Sequence, residues 1–406
     1  MNVFDIVYLF AYFIILYCSV LWFSVFLVHR NTIFNNPKAK IYPSLTVLVP
    51  AYNEAGRIGK CLDSLLSLDY PKLNIIAIND GSTDNTLEVL KKYEKKGVKI
   101  INKKNSGKAD SLNHALKHVN TELFMCMDAD SYPSPDSVKK MVGYMEGENV
   151  AGVSPALKID EVNTFMQKIQ WVEYIFSIFL RKVFSIFQCQ YVLPGPGSIY
   201  RTKIIKDLGG FDKESITEDM EIAFRLQSKK YDIENSIDAY VYTEAPQSFR
   251  GLFKQRVRWY RGYLHNVRKY LHLIGNPEYG NLGVFLIPIN FIWVFILFAF
   301  FFIPLYTVAS NLMGFLNVFS LVGIPPINLF LGFDIMYVDF YSFFLAAFIT
   351  LAVATIMVSL KSSNEKIEFK KRYLFYIGYM FIYPLLFSIF WISTVFYEIF
   401  GAEKKW

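Results

Sequence analysis

The stretch Met125-Cys126-Met127-Asp128-Ala129-Asp130-Ser131 places two carboxylates, one residue apart, at the end of an apolar run that begins at Leu123. Such a run is typical of a short buried strand. Strand side chains alternate in direction, so Asp128 and Asp130 lean the same way only if both lie on one face as the strand ends. Two carboxylates that close repel each other, which raises a pKa unless a cation lies beside them.

Two interpretations of this strand end remain open. Oxygen ligands at the carboxyl end of a buried strand suit Mg²⁺ or Mn²⁺, with the phosphates of a nucleotide completing the coordination shell. The alternative is an ordinary polar turn, because Ser131 and Pro133 follow. The rest of the chain has to decide between them.

The composition indicates a membrane protein with a substantial polar part. The chain has 406 residues, of which 53% are hydrophobic and 19% charged, and its net charge is +7. This is too apolar for an ordinary soluble domain and too charged for an all-membrane protein. The basic residues lie partly near apolar segments, which favours membrane lipids over nucleic acid as a partner. The four cysteines show no CxxC spacing, so neither a disulfide framework nor a zinc site is expected.

Four apolar segments are long enough to span a bilayer. They are Ile6–Val28, Val284–Ala309, Tyr341–Leu360 and Leu374–Phe400. The first has no preceding basic region, so we expect a retained helix with its N-terminus outside. The loop Lys361–Arg372 is rich in Lys and Arg and the connection Asn311–Asp339 has neither, so the positive-inside rule places the former in the cytoplasm and the latter outside.

The resulting topology has four spans, a cytoplasmic polar region and an outside C-terminus. Lys404 and Lys405 at that end argue mildly against it, and the apolar Phe315–Phe333 segment is a candidate to dip into the bilayer.

From Ser44 onward, strand and helix patterns alternate. Strands are predicted at Leu45–Val49, Asn74–Ile78, Val98–Asn102 and Leu123–Met127, and helices at Arg57–Leu68, Thr86–Lys96 and from Lys108 to Val119. This alternation predicts an open α/β sheet of mostly parallel strands. In such sheets ligands bind at the carboxyl ends of the strands. The polar clusters Tyr52–Glu54, Asp80–Ser82 and Asp128–Asp130 all fall at such ends.

The middle of the chain is less regular. Phe165–Phe187 is aromatic but too polar to span, which suits a helix at a membrane interface or packed on the α/β unit. Phe249–Leu273 is an aromatic and basic stretch. Pro194-Gly195-Pro196-Gly197-Ser198 is a rigid turn with few side-chain atoms, and Thr217-Glu218-Asp219 opens a helix predicted to run to Lys229.

Five motifs in order carry a family resemblance. They are Val49-Pro50-Ala51-Tyr52-Asn53-Glu54, Asn79-Asp80-Gly81-Ser82-Thr83-Asp84, Asp128-Ala129-Asp130, Thr217-Glu218-Asp219 and Gln255-Arg256-Val257-Arg258-Trp259. Together they resemble the family 2 glycosyltransferases with a GT-A fold. Within that family the chain is similar to the membrane synthases of hyaluronan, chitin, cellulose and poly-N-acetylglucosamine.

The resemblance implies a nucleotide-sugar donor, most simply a UDP-sugar. The turn Pro50-Ala51-Tyr52-Asn53-Glu54 is suited to hold base and ribose, and Asp80 to accept from a uracil N–H. Lys108 can reach a phosphate as a point charge. The alternatives are an ordinary turn at Asp80, a helix cap at Glu54 and a solvated lysine at Lys108.

The same resemblance assigns the reaction groups. Asp130 is the direct ligand of Mg²⁺ or Mn²⁺, and Asp128 supports the ribose or the water shell of the metal. Asp219 is the candidate general base, with Glu218 as its structural partner. A carboxylate on the acceptor side is what inverting glycosyl transfer needs to take the hydroxyl proton. The alternative is that Thr217-Glu218-Asp219 merely caps a helix.

Gln255, Arg258 and Trp259 share one face of a helix by their spacing. Arg258 can pair with a diphosphate, and Trp259 offers a flat face on which an acceptor sugar can stack. The alternative is a basic amphipathic helix on anionic lipid with Trp259 as an interface anchor. That role is expected for other basic residues of the stretch: Arg261, Arg268 and Lys269.

The predicted organisation has four parts. They are residues 1–43 with the first membrane helix, a cytoplasmic GT-A catalytic domain at 44–248, an interfacial helix at 249–275, and C-terminal membrane helices at 276–406. The favoured function is extension of a β-linked polysaccharide with export across the cell membrane. The alternative is transfer of one sugar to a membrane lipid.

Overall fold

The computed structural model describes residues 3–322, 340–365 and 369–401, and within them one eight-stranded sheet forms the centre of the polar region. The strands are β1 (Leu45–Ala51), β2 (Leu73–Asp80), β3 (Lys99–Lys103), β4 (Leu123–Cys126), β5 (Tyr132–Pro133), β6 (Val150–Ile159), β7 (Ile199–Arg201) and β8 (Asp232–Thr243). Their spatial order is β3-β2-β1-β4-β7-β6-β8-β5.

Helices precede, connect and follow these strands. They are α1 (Val3–His29), α2 (Ile58–Leu66), α3 (Thr86–Glu94), α4 (Lys108–Leu116), α5 (Ser137–Val142), α6 (Phe165–Ile186), α7 (Thr202–Asp207), α8 (Glu218–Ser228), α9 (Phe249–Lys269), α10 (Ile287–Val322), α11 (Phe340–Ser362), α12 (Phe369–Ile377) and α13 (Tyr383–Ile399).

The first half of the sheet is parallel, as predicted from the alternating pattern. β1 pairs in parallel with both β2 and β4, and β2 pairs in parallel with β3. In register, Ala51 lies beside Asn79, and Asp80 beside Lys103. The residues that follow β1, β2 and β4 therefore emerge at one edge of the sheet.

The second half makes the sheet mixed. β7 pairs antiparallel with β4 and β6, β8 pairs in parallel with β6, and β5 returns antiparallel to β8. The stretch that looked irregular in the sequence contains β6, β7 and most of β8. Nine of the ten residues of β6 are buried, so this strand lacks the polar alternation by which a strand is recognised.

Alternating strand residues bury two apolar layers, one on each face of the sheet. Leu45, Val47 and Val49 face one cluster with α2, α3 and α5. Leu48 faces the other, which contains residues of α4, α7 and α8. The sheet is thus covered on both faces, and ligands have access at its edges.

The two aromatic, partly polar stretches are long helices, α6 and α9. α6 packs on the sheet: Lys182 Nζ donates to the backbone carbonyl of Asn235 at 2.8 Å, and Gln167 Nε2 donates to that of Ala245 at 3.2 Å. Of the two positions expected for Phe165–Phe187, the structure shows the one in which the helix packs on the α/β unit. Arg256 of α9 donates to Glu173 of α6 and thereby bridges the two helices.

Three helices of the described part are long and apolar enough to cross a membrane: Val3–His29, Leu282–Leu321 and Arg372–Ile399. α1 and α10 run antiparallel, because Trp22 contacts Phe285 while Tyr8 contacts Phe300. The predicted span Tyr341–Leu360 coincides with α11.

Three sequence predictions extend beyond the described residues. The outside connection Asn311–Asp339, with the segment Phe315–Phe333, runs into residues 323–339, and the basic loop Lys361–Arg372 includes residues 366–368. Lys404 and Lys405 are likewise not among the described residues.

Candidate active site

The turns after β1 and β2 form one hydrogen-bonded unit. Asn53 has a φ of 57°, and its Oδ1 accepts from the backbone N–H of Thr83 at 2.8 Å. The backbone N–H of Asn53 donates to Ser82 Oγ at 3.0 Å, and that of Glu54 to Thr86 Oγ1 at 2.8 Å. The two predicted donor-binding turns are thus brought together, with Tyr52 about half exposed beside them.

Asp80 is buried and holds the loop that leads to Lys108. Its carboxylate accepts from Lys103 Nζ at 2.6 Å and from the backbone N–H groups of Ser106 and Gly107 at 3.0 and 2.9 Å. Both oxygens are therefore engaged within the protein. Any contact of Asp80 with a nucleobase uses a remaining lone pair.

Lys108 joins the strand-end carboxylates to the predicted base motif. Its Nζ lies 2.6 Å from Asp128 Oδ1 and 3.0 Å from Glu218 Oε1. Burial alone would lower the pKa of Lys108, but Asp128, Glu218 and Asp219 hold it well above its ordinary value. A Cβ added at Gly195 would lie 2.5 Å from this ammonium group, so a side chain here would displace Lys108 from its present position.

The side chain of Asp130 has other contacts than that of Asp128, which pairs with Lys108. Its carboxylate accepts from Ser131 Oγ at 2.8 Å, and no basic side chain pairs with it in residues 3–322, 340–365 and 369–401. Burial and the charge of Asp128 raise the pKa of Asp130. Because β4 ends at Cys126, strand alternation no longer sets the directions of these two side chains.

A partly buried carboxylate that has no basic partner in the described residues and lies beside a second carboxylate fits a divalent cation. No group of three or more His, Cys, Asp or Glu side chains suited to hold a metal occurs among the described residues. A cation at Asp130 would therefore take most of its ligands from phosphate oxygens and water, as Mg²⁺ commonly does.

A cavity of about 260 Å³ adjoins Asp130. Arg57 crosses its rim, with Nε 2.7 Å from Glu244 Oε1 and Nη1 3.3 Å from Glu54 Oε2. Sequence reasoning missed Arg57 and Glu244. Glu244 directly follows β8, so its place at a strand end was the signal that could have found it.

Glu218 and Asp219 form the first turn of α8, whose N-terminus favours negative charge. Burial opposes ionisation of Glu218, but the charge and hydrogen bond of Lys108 hold its pKa below the ordinary value. Burial and the neighbouring Glu218 raise the pKa of Asp219 to about 6, against the opposing charges of Lys108 and Arg258. Adjacent carboxylates are thereby given different proton affinities, as acid–base sites require.

Helix α9 holds the residue that precedes this pair. Asn266 Nδ2 donates to Thr217 Oγ1 at 3.3 Å. A Cβ on Gly262 would come within 2.3 Å of the same oxygen, so only glycine allows α9 to pack this closely on Thr217. Sequence reasoning missed Asn266 and Gly262, since neither belongs to a motif of charged groups.

The predicted acceptor face of α9 is partly occupied by internal contacts. Gln255 Oε1 accepts from Arg256, whose guanidinium lies 4.2 Å from the centre of the Trp259 ring. Arg258 has no ion-pair or hydrogen-bond partner in the described part of the chain, and its charge acts on Glu218 and Asp219. It is therefore available to an anionic ligand.

Arg261, Arg268 and Lys269 of α9 form ion pairs within the protein. Arg261 and Arg268 lie 2.7 and 2.8 Å from Glu398 of α13. Lys269 lies 2.7 Å from Glu221 of α8. These ion pairs form because α9 packs between α8 and α13, and contact of Arg268 and Lys269 with anionic lipid stays a prediction.

Comparison with known proteins identifies the α/β unit. Residues 46–209 match the model for glycosyl transferase family 2.

The chain carries a family 2 glycosyl transferase domain.

The match runs from β1 through α7, so it includes the donor turns, Lys108, Asp128 and Asp130. The predicted family is confirmed. The roles given to individual residues stay predictions.

Curated proteins similar to this chain include the poly-β-1,6-N-acetyl-D-glucosamine synthases of two staphylococci. The chain is 32% identical over 222 residues to that of Staphylococcus epidermidis and 30% identical over 222 residues to that of Staphylococcus aureus strain MSSA476. Each alignment covers 54% of this chain and 54% of the relative. The chain thus spans about half the length of the curated relatives it matches.

Among solved structures, a mannosyltransferase of Pyrobaculum calidifontis in complex with GDP-mannose and Mn²⁺ has a similar fold. The TM-score is 0.58, the identity is 19%, and the alignment covers 93% of this chain and 97% of that one. At this identity the likeness concerns the fold alone. The predicted fold class, an α/β GT-A domain joined to apolar helices, is confirmed.

Proposed function

We propose that this glycosyltransferase extends a β-linked polysaccharide from a UDP-sugar by inverting transfer. The observation that carries the proposal is the pair Glu218–Asp219, in which Lys108 holds the pKa of one carboxyl below its ordinary value and the other has a pKa of about 6. A carboxylate poised near neutral pH is suited to general-base work. The family match and the synthase relatives give the reaction class.

Donor binding is assigned to the edge where β1, β2 and β4 end. The joined turns at Tyr52–Glu54 and Ser82–Thr86 take the nucleoside, and Lys108 and Arg258 neutralise the diphosphate. A Mg²⁺ or Mn²⁺ ion held by Asp130, with Asp128 beside it, supplies further charge neutralisation to the leaving group. The Mn²⁺ in the mannosyltransferase complex supports the use of a divalent ion.

Transfer then needs one proton acceptor. Asp219 takes the proton of an acceptor hydroxyl as its oxygen bonds to the anomeric carbon of the donor sugar. The bond from that carbon to the diphosphate oxygen breaks, and the diphosphate leaves with the electron pair. Attack opposite the leaving group inverts the anomeric centre and yields a β-linkage from an α-linked donor.

N-acetylglucosamine is the first sugar to test, because the relatives at 30–32% identity are poly-N-acetylglucosamine synthases. UDP as the nucleotide follows from the family resemblance. The mannosyltransferase complex contains GDP-mannose, so a guanine nucleotide is the comparison donor.

Transfer of a single sugar to a membrane lipid is the second candidate. The observation that favours it is the contact of α9 with an apolar helix: Arg256 Nε donates to Tyr383 of α13 at 3.2 Å. An acceptor lipid lying among these helices would present its head group close to the motif Gln255–Trp259.

Product analysis separates the two. Purified protein is incubated with Mn²⁺ and radiolabelled UDP-GlcNAc, UDP-Glc, UDP-GlcA, UDP-Gal or GDP-mannose, and the product is sized. A polymer degraded by a matching glycosidase supports the synthase. An organic-extractable monoglycosylated lipid from every active donor replaces it with the lipid transferase.

We also propose that the protein resides in the cell membrane with residues 44–248 in the cytoplasm, and that export accompanies synthesis. The apolar helices Val3–His29, Leu282–Leu321 and Arg372–Ile399 support membrane residence. Inverted membrane vesicles test the orientation, since protease should then cleave the catalytic domain without detergent. Cleavage only in right-side-out vesicles would contradict it.

A further inference from the structure

Arg181, on α6, lies near Asp219 and has a hydrogen-bond donor without a partner among the described residues. Its Nη1 is buried and forms no hydrogen bond within residues 3–322, 340–365 and 369–401. An unsatisfied donor on a charged group is costly to bury, more so than on a neutral one. Such a group in a folded protein calls for an explanation, and an absent ligand is the simplest one.

The surroundings of Arg181 place it near the predicted base. Asp219, Glu173, Tyr174 and Tyr191 are close enough for their charges or potential charges to act on it. Glu173 is paired with Arg256 of α9, at 2.5 Å, and forms no ion pair with Arg181 in the described part of the chain. Burial lowers the pKa of Arg181, and the charges of its neighbours act in the opposite direction.

A second unsatisfied group lies on the opposite helix. The hydroxyl of Tyr260, on α9, is buried and has no hydrogen bond in the same described part. Its ring is fixed by stacking on Trp391, with centroids 4.7 Å apart and planes 5° apart. Tyr191 and Glu173 are electrostatic neighbours of both Tyr260 and Arg181. Both helices therefore carry an unused donor in the neighbourhood of Tyr191 and Glu173.

We propose that Arg181 and Tyr260 bind the acceptor carbohydrate, donating hydrogen bonds to oxygens of the sugar unit at or next to its reacting end. This inference rests on the proposed function, and it names the acceptor class and two residues that no motif includes. The tyrosine rings supply the flat apolar faces on which sugar rings stack.

Local charge favours a neutral acceptor over a lipid phosphate. Four carboxylates, Asp128, Asp130, Glu218 and Asp219, already lie in this region, with Lys108, Arg258 and Arg181 among their basic neighbours. An anionic acceptor would add negative charge beside Asp219, whose pKa is raised already. A sugar satisfies the same donors without that repulsion.

The test compares Arg181→Met with Arg250→Met, a matched change at an exposed arginine of α9. Binding of short N-acetylglucosamine oligomers is measured by calorimetry with UDP and Mn²⁺ present, and transfer kinetics are measured with UDP-GlcNAc. We expect Arg181→Met to weaken oligomer binding and raise the oligomer KM roughly tenfold to hundredfold, the size of a lost hydrogen bond to a charged group. UDP affinity and donor KM should not change, and Arg250→Met should behave as wild type.

Two further variants keep the test decisive. Tyr260→Phe preserves the stack on Trp391 and should raise the oligomer KM by a smaller factor, even if Arg181→Met does not fold. Arg181→Lys should restore part of the affinity.

Binding and transfer are read separately, so the two proposals can fail separately. Arg181-dependent oligomer binding without transfer from any UDP-sugar leaves the inference standing and removes the proposed function. Transfer with an unchanged oligomer KM in both Arg181→Met and Tyr260→Phe, wild-type protein that binds no oligomer, or transfer only to a polyprenyl phosphate overturns the inference.

Discussion

Asn266 donates a hydrogen bond from Nδ2 to Oγ1 of Thr217, 3.3 Å away. The amphipathic helix α9 is thereby joined to the residue directly before Glu218 and Asp219. One turn further along α8, Glu221 accepts from Lys269 and Tyr270, each at 2.7 Å. The position of the predicted base therefore depends on a helix that itself packs against an apolar helix, α13.

Gly262→Ala tests this dependence. The added Cβ would lie 2.3 Å from Thr217 Oγ1 and 2.5 Å from its Cγ2, so Thr217 and the first turn of α8 have to move. We expect transfer to fall at least tenfold, since small misplacements of catalytic groups are expensive, while UDP affinity by calorimetry stays the same. Gly251→Ala is the control, because its Cβ meets only ordinary contacts at 3.4 Å. Equal activity of the two variants would contradict the positioning role.

Asp219→Asn tests the base itself. The amide keeps the shape and the hydrogen bond that Asp219 accepts from the backbone of Met220, but it cannot take a proton. Transfer should fall by roughly 10²-fold or more, the usual size of a general-base contribution. UDP binding should survive; its loss, or near-normal turnover, would count against the assignment.

The pH dependence of transfer follows from the same carboxylate. Asp219 has a pKa of about 6, raised by burial and by Glu218, and only its ionised form accepts a proton. The rate should be full well above pH 6 and decline about tenfold per unit below it. Glu218→Gln removes a raising charge, so the midpoint should move to lower pH, whereas the exposed Glu148→Gln should leave it in place. A profile flat down to pH 4 would be the contrary result.

Metal removal tests the role of Asp130. Its partly buried carboxylate has one hydrogen bond, from Ser131, and no basic partner within the described ranges. We expect loss of transfer in excess EDTA, recovery with Mn²⁺ or Mg²⁺, and no recovery in Asp130→Ala. Ser134→Ala, beyond the same strand end, is the control. Full turnover of the wild type in EDTA would show that the diphosphate leaves without a divalent ion.

Glu398 should stabilise the junction of α9 and α13. Its side chain is 7% exposed and lies 2.7 Å from Arg261 and 2.8 Å from Arg268. Glu398→Ala removes the carboxylate from a buried arginine, which typically costs about 3–5 kcal/mol, so the unfolding temperature in detergent should drop clearly. Glu278→Ala breaks the exposed pair with Lys230 and should leave the unfolding temperature nearly unchanged, because solvent screens exposed ion pairs. An equal drop in unfolding temperature in the two variants would contradict the stabilising role of Glu398.

The local pattern of the sequence was enough for much of the fold. The run Leu123–Met127 predicted β4 with an error of one residue at its end, and the alternation from Ser44 onward predicted the parallel half of the sheet. Because parallel strands with helical crossovers end at a common edge, the grouping of Tyr52, Asp80 and Asp128 there could also be inferred. These features depend on residues close in sequence and on one packing rule.

Other features depended on contacts between distant parts of the chain. The opposite surroundings of Asp128 and Asp130, the ion pair of Arg57 with Glu244, and the internal pairing of Arg261 and Arg268 were decided by how elements pack. The same holds for β6 and β7, whose buried residues show no alternation, and for Gly262, whose lack of a side chain matters only because Thr217 approaches it. The effect of a charged side chain, or of a missing one as at Gly262, depends on the group that lies against it. Only the tertiary structure brings that group into place.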